Sequence, residues 1–290
     1  MQRERGPTVR ALSASDLPAV RRLLNNSEFI YSRFGSEELP RLLEHKPGVG
    51  VFSGQSLRAF MLTNILAPPV AWIGGYGVTW SESRNYVRYI DLLLPPFIAA
   101  VRRAGATALY YTGNDLEFDW LKAPLLERQF QLLTTLRSYD KEDYSIPTAG
   151  NQDVVVRPFA RADLDAVLEV EAACFAPYWR FDAANFLELA EHYPYFVVAE
   201  LAGRVIGYQF NTVDHEMGFL VRIAVHPSLN SRGIGARLMA EAIHFFQSEH
   251  VWKIALNTEE ANHHAHRLYE WFGFRRVVPQ GFVLERPLLE

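Results

Sequence analysis

The chain has 290 residues, 49% of them hydrophobic and 21% charged, which is typical of a soluble globular protein and long enough for two domains. Its formal net charge of −4 provides no strongly basic surface, so nucleic acid is not expected as a partner. Cys174 is the single cysteine, which excludes an intramolecular disulfide.

The sequence contains neither a signal-peptide pattern nor a membrane span. The N-terminal segment lacks an apolar core, and the longest apolar stretch, residues 90–101, is too short for a bilayer and contains two prolines. We therefore expect a cytoplasmic protein that does not bind membranes.

Two stretches of the chain have similar sequences. Residues 9–20 (VRALSASDLPAV) and 156–167 (VRPFARADLDAV) match at Val, Arg, Asp, Leu, Ala and Val, at a constant offset of 147 residues. Between the halves, residues 140–153 are polar and contain proline and glycine, as is typical of a linker. The sequence therefore predicts two domains of the same type, residues 1–147 and 151–290.

The predicted elements follow the same plan in both halves. In the first half, helical patterns cover residues 15–24, 36–45 and 123–133, and strand patterns lie within residues 49–80. In the second half, helices are predicted at residues 162–175, 182–193, 261–274 and from Gly233 onward. Strands are predicted within residues 195–211, 218–227, 251–258 and 282–288. This mixed order predicts an α/β fold with a mixed (α+β) sheet covered by helices.

The segment LNSRGIGARLM, residues 229–239, places glycines at the start of a helix. The first turn of a helix presents unpaired N–H groups and a positive dipole end, and glycines let an anion approach the backbone closely. Arg232 adds a charge-assisted contact. The segment lacks the Lys-Ser/Thr of a P-loop, and Leu238 replaces the third glycine of the dinucleotide fingerprint. A phosphate site and a tight turn without a ligand both remain open.

Three linked motifs resemble those of the GNAT superfamily of acyl-CoA-dependent N-acetyltransferases. They are IAVHP (223–227), NSRGIGA (230–236) and NHHAHRLYEWFGF (262–274), in the family's order and spacing. Asn230 departs from the family pattern, which has Gln or Arg at this position. The resemblance implies a fold of two tandem GNAT domains and acetyl-CoA as the acyl donor. No metal is expected, because the Glu and His residues of 259–266 lack a metal-binding arrangement.

The resemblance also implies which residues bind the cofactor. One strand would pair with the pantetheine arm, a backbone N–H near Val225 would stabilise the oxyanion, and the glycine segment would hold the pyrophosphate. The implied cofactor-binding residues are Ile223, Ala224, Val225, Ser231, Arg232, Gly233, Ile234, Gly235, Ala236 and Asn262. For Asn262, the alternative is an N-cap of the last helix, and both roles are compatible.

Tyr269 matches the family tyrosine that protonates the leaving thiolate. A phenol with an ordinary pKa of ~10 can donate this proton without first being ionised. The alternative is a tyrosine whose ring only packs on the core. Aromatic side chains around the second helix suggest an acceptor pocket, with Tyr178 and Trp179 as candidate substrate contacts.

The general base is not evident from the sequence. Some relatives have a glutamate where this chain has Asn257, which cannot accept a proton. Glu216 is the preferred substitute, with Asp214 and Glu171 as alternatives. A water chain, or an amine that arrives neutral, would require no base.

The first half is predicted to be a degenerate GNAT-like domain without catalytic activity. Residues 82–94, which follow its predicted cofactor strand, contain no glycine, and Leu126 stands about where the tyrosine should be. This tandem arrangement is similar to that of mycothiol synthase, in architecture only.

The predicted function is that of an acyltransferase, an acetyl-CoA-dependent N-acetyltransferase. It would transfer an acetyl group to a primary amine of a small molecule or peptide by direct attack in a ternary complex. The alternative is a non-catalytic acyl-CoA-binding sensor. The acceptor is not evident from the sequence, and a homodimer is an open alternative to a monomer.

Overall fold

The computed structural model describes residues 6–193 and 195–288, which fold into two compact units. Unit 1 comprises the residues up to Leu133 and those from Phe282 onward. Unit 2 comprises Thr134–Gly281. Each unit has a mixed sheet with helices packed against it, which confirms the predicted α/β class.

Unit 1 combines α-helices of 5 to 18 residues with mostly antiparallel strands. Its elements in chain order are β1 (Thr8–Ala11), α1 (Leu17–Asn25), β2 (Ile30–Ser32), α2 (Leu39–His45), β3 (Gly48–Ser53), β4 (Ser56–Ala67), β5 (Val70–Val78), α3 (Tyr86–Arg103), β6 (Ala108–Gly113) and α4 (Lys122–Leu126). The strand order is β1-β3-β4-β5-β6, with β5 and β6 parallel and β2 added to β5. Among the described residues, no helix is long and apolar enough to cross a membrane.

Unit 2 repeats this plan. Its elements are β7 (Gln131–Lys141), β8 (Val155–Pro158), α5 (Leu164–Cys174), α6 (Ala183–His192), β9 (Tyr195–Leu201), β10 (Arg204–Asp214), β11 (Met217–Val225), α7 (Ile234–Ser248), β12 (Lys253–Glu259), α8 (His263–Trp271) and β13 (Arg275–Pro287). The strand order is β8-β9-β10-β11-β12-β7, and only β11 and β12 pair in parallel among these described strands. The predicted strand at 282–288 begins earlier than expected, at Arg275.

The internal sequence repeat has a structural cause. In unit 1, the Arg10 guanidinium donates to both carboxylate oxygens of Asp16, at 2.8 and 2.6 Å. In unit 2, Arg157 contacts Asp163 in the same two-pronged manner, at 2.7 and 2.8 Å. The arginine lowers the pKa of each aspartate. The repeated residues therefore attach the first strand of each unit to the start of its first helix.

The unit boundaries differ from the predicted domains, 1–147 and 151–290, at the closing strands. Residues of β7 from Thr134 onward belong to unit 2, where β7 pairs antiparallel with β12. Residues of β13 from Phe282 onward belong to unit 1, where they pair antiparallel with β6. A local pattern of apolar residues predicts that a strand forms, but it does not say which sheet edge the strand joins.

Helices cover both faces of the unit 2 sheet. Tyr208 and Phe210 of β10 pack with residues of α5 and α6 in one core cluster. Ile254 and Leu256 of β12 pack with residues of α7 and α8 in another. Because strand side chains alternate between faces, neighbouring residues of β12 point away from α7 and α8.

Candidate active site

The two parallel strands of unit 2 diverge along their length. Strands β11 and β12 pair only from Met217↔Lys253 to Phe219↔Ala255. The other edge of β11 pairs with β10 from Met217 to Val225. Among the described residues, residues 220–225 therefore have no strand partner on the edge that faces β12. A ligand with amide groups can hydrogen-bond to such an edge as an added strand would.

A cleft of about 800 Å³ opens where the strands diverge, a volume typical of small-molecule sites. It is lined by the end of β11, the loop before α7, the start of α7 and one face of α8. Its lining includes the predicted cofactor residues Ile223, Ala224, Val225, Ser231, Gly233, Ile234, Gly235, Ala236 and Asn262. Arg232 lies in the same loop with an exposed side chain but does not line the cleft.

The loop before α7 has the backbone geometry that its glycine implies. Gly233 is the N-cap residue of α7 and has a φ of 74°, a left-handed conformation that disfavours other residues. The carbonyl oxygens of Arg232 and Gly233 accept hydrogen bonds from the side chain and backbone N–H of Asn151, at 3.0 and 3.1 Å. These carbonyls are thereby held by the segment before β8, while the N–H groups of the first turn have no acceptor within the helix.

Tyr269 of α8 lines the same cleft and is 5% exposed. Its ring packs against Tyr139 at 5.7 Å and against Phe274 at 6.1 Å between ring centroids. Burial raises the pKa of its phenol well above the ordinary value, so the group is protonated at neutral pH. The structure gives this hydroxyl no hydrogen-bond partner among the described residues, which leaves its proton available to a ligand.

Buried polar contacts fix α8, and with it Tyr269. The Tyr139 hydroxyl lies 2.7 Å from His266 Nδ1, and His266 Nε2 lies 3.0 Å from the backbone oxygen of Glu260. Arg276 Nε donates to the Tyr139 hydroxyl at 3.1 Å. These bonds connect α8 to β7, β13 and the end of β12, so the position of the tyrosine is determined by several elements.

Asn262 acts as a helix cap. Its Oδ1 accepts a hydrogen bond from the backbone N–H of Ala265 at 3.2 Å, and its Nδ2 donates to Thr258 Oγ1 at 3.1 Å. The residue lines the cleft, but both ends of its amide have local partners. The capping alternative therefore describes its side chain.

Cys174 lies beside the open strand. Its thiol donates to the backbone oxygen of Val225 at 3.2 Å and lines the cleft. Burial raises the pKa of the thiol to about 11, so it is un-ionised at neutral pH. The thiolate is the nucleophilic form of cysteine, and burial disfavours that form here.

Glu216 is not brought to the cleft. It is exposed in the turn before β11, whereas the cleft lies at the other end of that strand, at Val225. The nine residues of β11 separate the two ends by roughly 25 Å at about 3.3 Å per residue. Asp214 is the last residue of β10, directly before the same turn. We therefore assign neither carboxylate a role in proton transfer.

Glu171, the third predicted candidate, is a buried structural residue. It is 1% exposed and pairs with Arg222 and the Tyr208 hydroxyl, and Oε1 accepts from Phe181 N at 2.8 Å. Burial raises the pKa of Glu171, while Arg222 opposes this shift. With both oxygens occupied, Glu171 has no position for a substrate proton.

The Glu171–Arg222 pair holds the aromatic segment 175–182. The Arg222 guanidinium lies 4.2 Å from the ring centroids of both Phe175 and Phe181. Its Nη2 donates to the backbone oxygen of Trp179 at 3.0 Å. The segment is therefore attached to β11 by a buried charge pair and by ring contacts.

Glu259 is a candidate residue that the sequence did not indicate as part of the acceptor site. The Tyr178 hydroxyl and Trp179 Nε1 both donate to its Oε1, at 2.7 and 3.0 Å. Both predicted acceptor residues thus contact one carboxylate at the end of β12. The available signal was its spacing: Glu259 stands two residues after Asn257, on the same strand face. Among the described residues, no group of three or more His, Cys, Asp or Glu side chains could hold a metal ion.

Comparisons with known proteins identify a family match in the second half of the chain. Residues 164–274 match the acetyltransferase (GNAT) family model. Over 132 residues, the chain is 33% identical to an uncharacterized N-acetyltransferase of Methanocaldococcus jannaschii, covering 44% of this chain and 83% of that protein. Over 120 residues, it is 27% identical to a putative [ribosomal protein bS18]-alanine N-acetyltransferase of Bacillus subtilis, covering 41% and 80%.

The fold is similar to that of tandem proteins over nearly its full length. A tandem GNAT protein from the clavulanic acid biosynthesis pathway has a TM-score of 0.69 at 13% identity, covering 98% of this chain and 99% of that one. Fold and site thus define an acyltransferase with two tandem GNAT folds. The chain belongs to the GNAT family of N-acetyltransferases.

Proposed function

We propose that unit 2 transfers an acetyl group from acetyl-CoA to a primary amine of a small molecule or peptide, by direct attack in a ternary complex. The observation that carries this proposal is a single cleft containing an unpaired strand edge, a helix N-terminus and a buried protonated tyrosine. The family membership and Tyr269 favour this enzyme over an acyl-CoA sensor.

The residues of the cleft fit an acyl-CoA. The backbone of residues 223–225 suits the pantetheine amides, which would bind as an added strand. The first-turn N–H groups of α7 suit the pyrophosphate, because they lack acceptors and lie at the positive end of the helix. A backbone N–H near Val225 would stabilise the charge that develops on the carbonyl oxygen.

The proton that the leaving group needs would come from Tyr269. When the amine attacks, a C–N bond forms, the C–S bond breaks, and the thiolate takes the phenol proton. The raised pKa keeps the phenol protonated in the resting enzyme. The attacking nitrogen loses one proton and the Tyr269 phenolate regains one from solvent, so a neutral amine and acetyl-CoA give an amide and a thiol.

The test is thiol release from acetyl-CoA with a panel of primary amines, including alkylamines, diamines and peptides that begin with alanine. We expect amine-dependent release, with kcat lowered about 10²–10⁴-fold in Tyr269→Phe, the range for loss of a general acid. The affinity for acetyl-CoA, measured by calorimetry, should change little. Equal kcat for wild type and variant would remove the acid assignment, and release that no amine accelerates would overturn the proposed function.

A further inference from the structure

We propose that Glu259 binds the ammonium form of the acceptor, which releases one proton to solvent before the neutral amine attacks, so that the enzyme selects cationic primary amines that fit against an aromatic wall. This inference rests on the proposed function and names its substrate class. Tyr178 and Trp179 act as positioning residues, since they hold the carboxylate and form that wall.

The first observation is the direction of the side chain. Ile254 and Leu256 of β12 belong to the core formed with α7 and α8. Strand alternation directs Glu259 to the opposite face, which α5 and α6 cover. Its contacts with Tyr178 and Trp179, on the segment between those helices, agree with this direction. The carboxylate therefore lies across the sheet from the helices whose backbone suits acetyl-CoA.

The second observation is the location of the segment that holds Glu259. Phe175 lines the cleft, and the Trp179 backbone is bonded to Arg222 of β11. Residues 175–179 thus connect the unpaired part of β11 with the end of β12. An amine bound at Glu259 would stand at the mouth of the divergence between the strands, opposite the bound thioester.

The third observation is an unbalanced charge. Both donors, a phenol and an indole, are neutral, and both bond to Oε1. No hydrogen bond or ion pair joins Oε2 to another described residue, and Arg137 pairs instead with the adjacent Glu260. A half-buried carboxylate whose described donors are neutral has an oxygen and a negative charge available for a cationic ligand. An ammonium group is such a ligand, and the flanking rings, 5.5 Å apart, can add cation–π attraction.

The decisive variant is Glu259→Gln, which preserves an oxygen for Tyr178 and Trp179 but removes the charge. With the best amine of the panel, we expect KM for the amine to rise about 10–100-fold, as for loss of a charged hydrogen bond. The KM and calorimetric affinity for acetyl-CoA should stay unchanged, which also verifies folding. Glu249→Gln is the matched control, because it makes the same charge change at the exposed end of α7.

A second comparison isolates the charge of the acceptor. An alkoxyamine with the shape of the best alkylamine is neutral at pH 7, and its KM should be similar in wild type and Glu259→Gln. An unchanged KM for the alkylamine in Glu259→Gln would overturn this inference while Tyr269→Phe still tests the proposed function. A wild-type preference for the alkoxyamine would overturn it as well. Absence of any amine-dependent thiol release would overturn both.

Discussion

In both units two parallel strands pair at their start and then diverge, but the resulting gap is filled in unit 1 and open in unit 2. In unit 1, β5 and β6 pair only from Val70↔Ala108 to Trp72↔Tyr110, as β11 and β12 do at their start in unit 2. The next part of β5 pairs with the chain's own β2, from Ile30↔Gly77 to Ser32↔Gly75. The edge that is open in unit 2 is therefore occupied in unit 1.

The repeat shows which residues cause this difference. At the offset of 147 residues, Tyr31 of β2 corresponds to Tyr178, and Thr112 corresponds to Glu259. The Tyr31 hydroxyl donates to the backbone oxygen of Thr112 at 3.0 Å, whereas Tyr178 donates to the Glu259 side chain at 2.7 Å. One segment thus serves as a strand in one unit and as a support for a carboxylate in the other.

Glycines permit the closed arrangement of unit 1. A Cβ at Gly77 would lie 2.7 Å from both Ile30 Cδ1 and Phe60 Cε1, closer than atoms can pack. The corresponding residue of unit 2, Ala224, carries a Cβ and lines the open cleft. The glycines of β5 therefore make room for β2 and the rings around it.

The other two features of the cleft also differ in unit 1. Its α3 begins after a 3-10 turn, Trp80–Asn85, where unit 2 has the left-handed loop at Gly233. The turns after the last helices of the two units are equivalent, with Gln129 (φ 66°) at the position of Gly273 (φ 83°). Counting back four residues from each, Leu125 is the equivalent of Tyr269. The sequence suggested Leu126, one residue away. Both are leucines, so this position carries no acid, which supports the prediction of a non-catalytic first unit.

The Gly233→Glu substitution has the largest expected effect, because it changes the affinity of unit 2 for acetyl-CoA. The substitution places a side chain at a φ of 74° and a negative charge beside the phosphate site, so the affinity for acetyl-CoA should fall about 100-fold or more. Calorimetry should find one site in the wild type and none at the same concentrations in the variant. Gly203→Glu is a matched control, because Gly203 has a φ of 77° in a turn with open space around it. Two sites in the wild type would show that unit 1 also binds the nucleotide.

The cleft residues could be predicted because they lie in contiguous motifs that resemble those of a known family, whereas the glycine spacing alone left a phosphate site and a bare turn both open. Gly233, Ile223 and Tyr269 are examples, and the structure brings all of them to one cleft. Glu259 was missed because its role depends on partners about 80 residues away in the chain. The unit that each closing strand joins could not be predicted for a similar reason, since sheet partners are chosen in three dimensions.

Gly77→Ala tests whether β2 is pressed against β5. The added methyl group has no room between Ile30 and Phe60, and such overpacking costs about 1–3 kcal/mol of the free energy of unfolding. Thermal or urea unfolding would measure it, with Gly6→Ala as control, because a Cβ there meets no atom within 4 Å. An unchanged stability would mean that the opening in unit 1 is not tightly filled.

The smallest effect concerns the feature that the two units share. Arg10→Ala and Arg157→Ala each remove a two-pronged ion pair at the same repeat position, and each should lower the stability by about 1 kcal/mol. The aspartate pKa values are lowered in the fold, so this contribution is present above the unfolded pKa of ~3.9 and is lost as the pH falls below it. Unfolding at pH 7 and at pH 3 would therefore show a smaller difference from wild type at pH 3. The kcat of Arg157→Ala should equal that of wild type, because the Arg157 side chain contacts Asp163 and Glu200 and does not line the cleft. A lowered kcat in Arg157→Ala, but not in Arg10→Ala, would instead connect the repeated motif to catalysis in unit 2 alone.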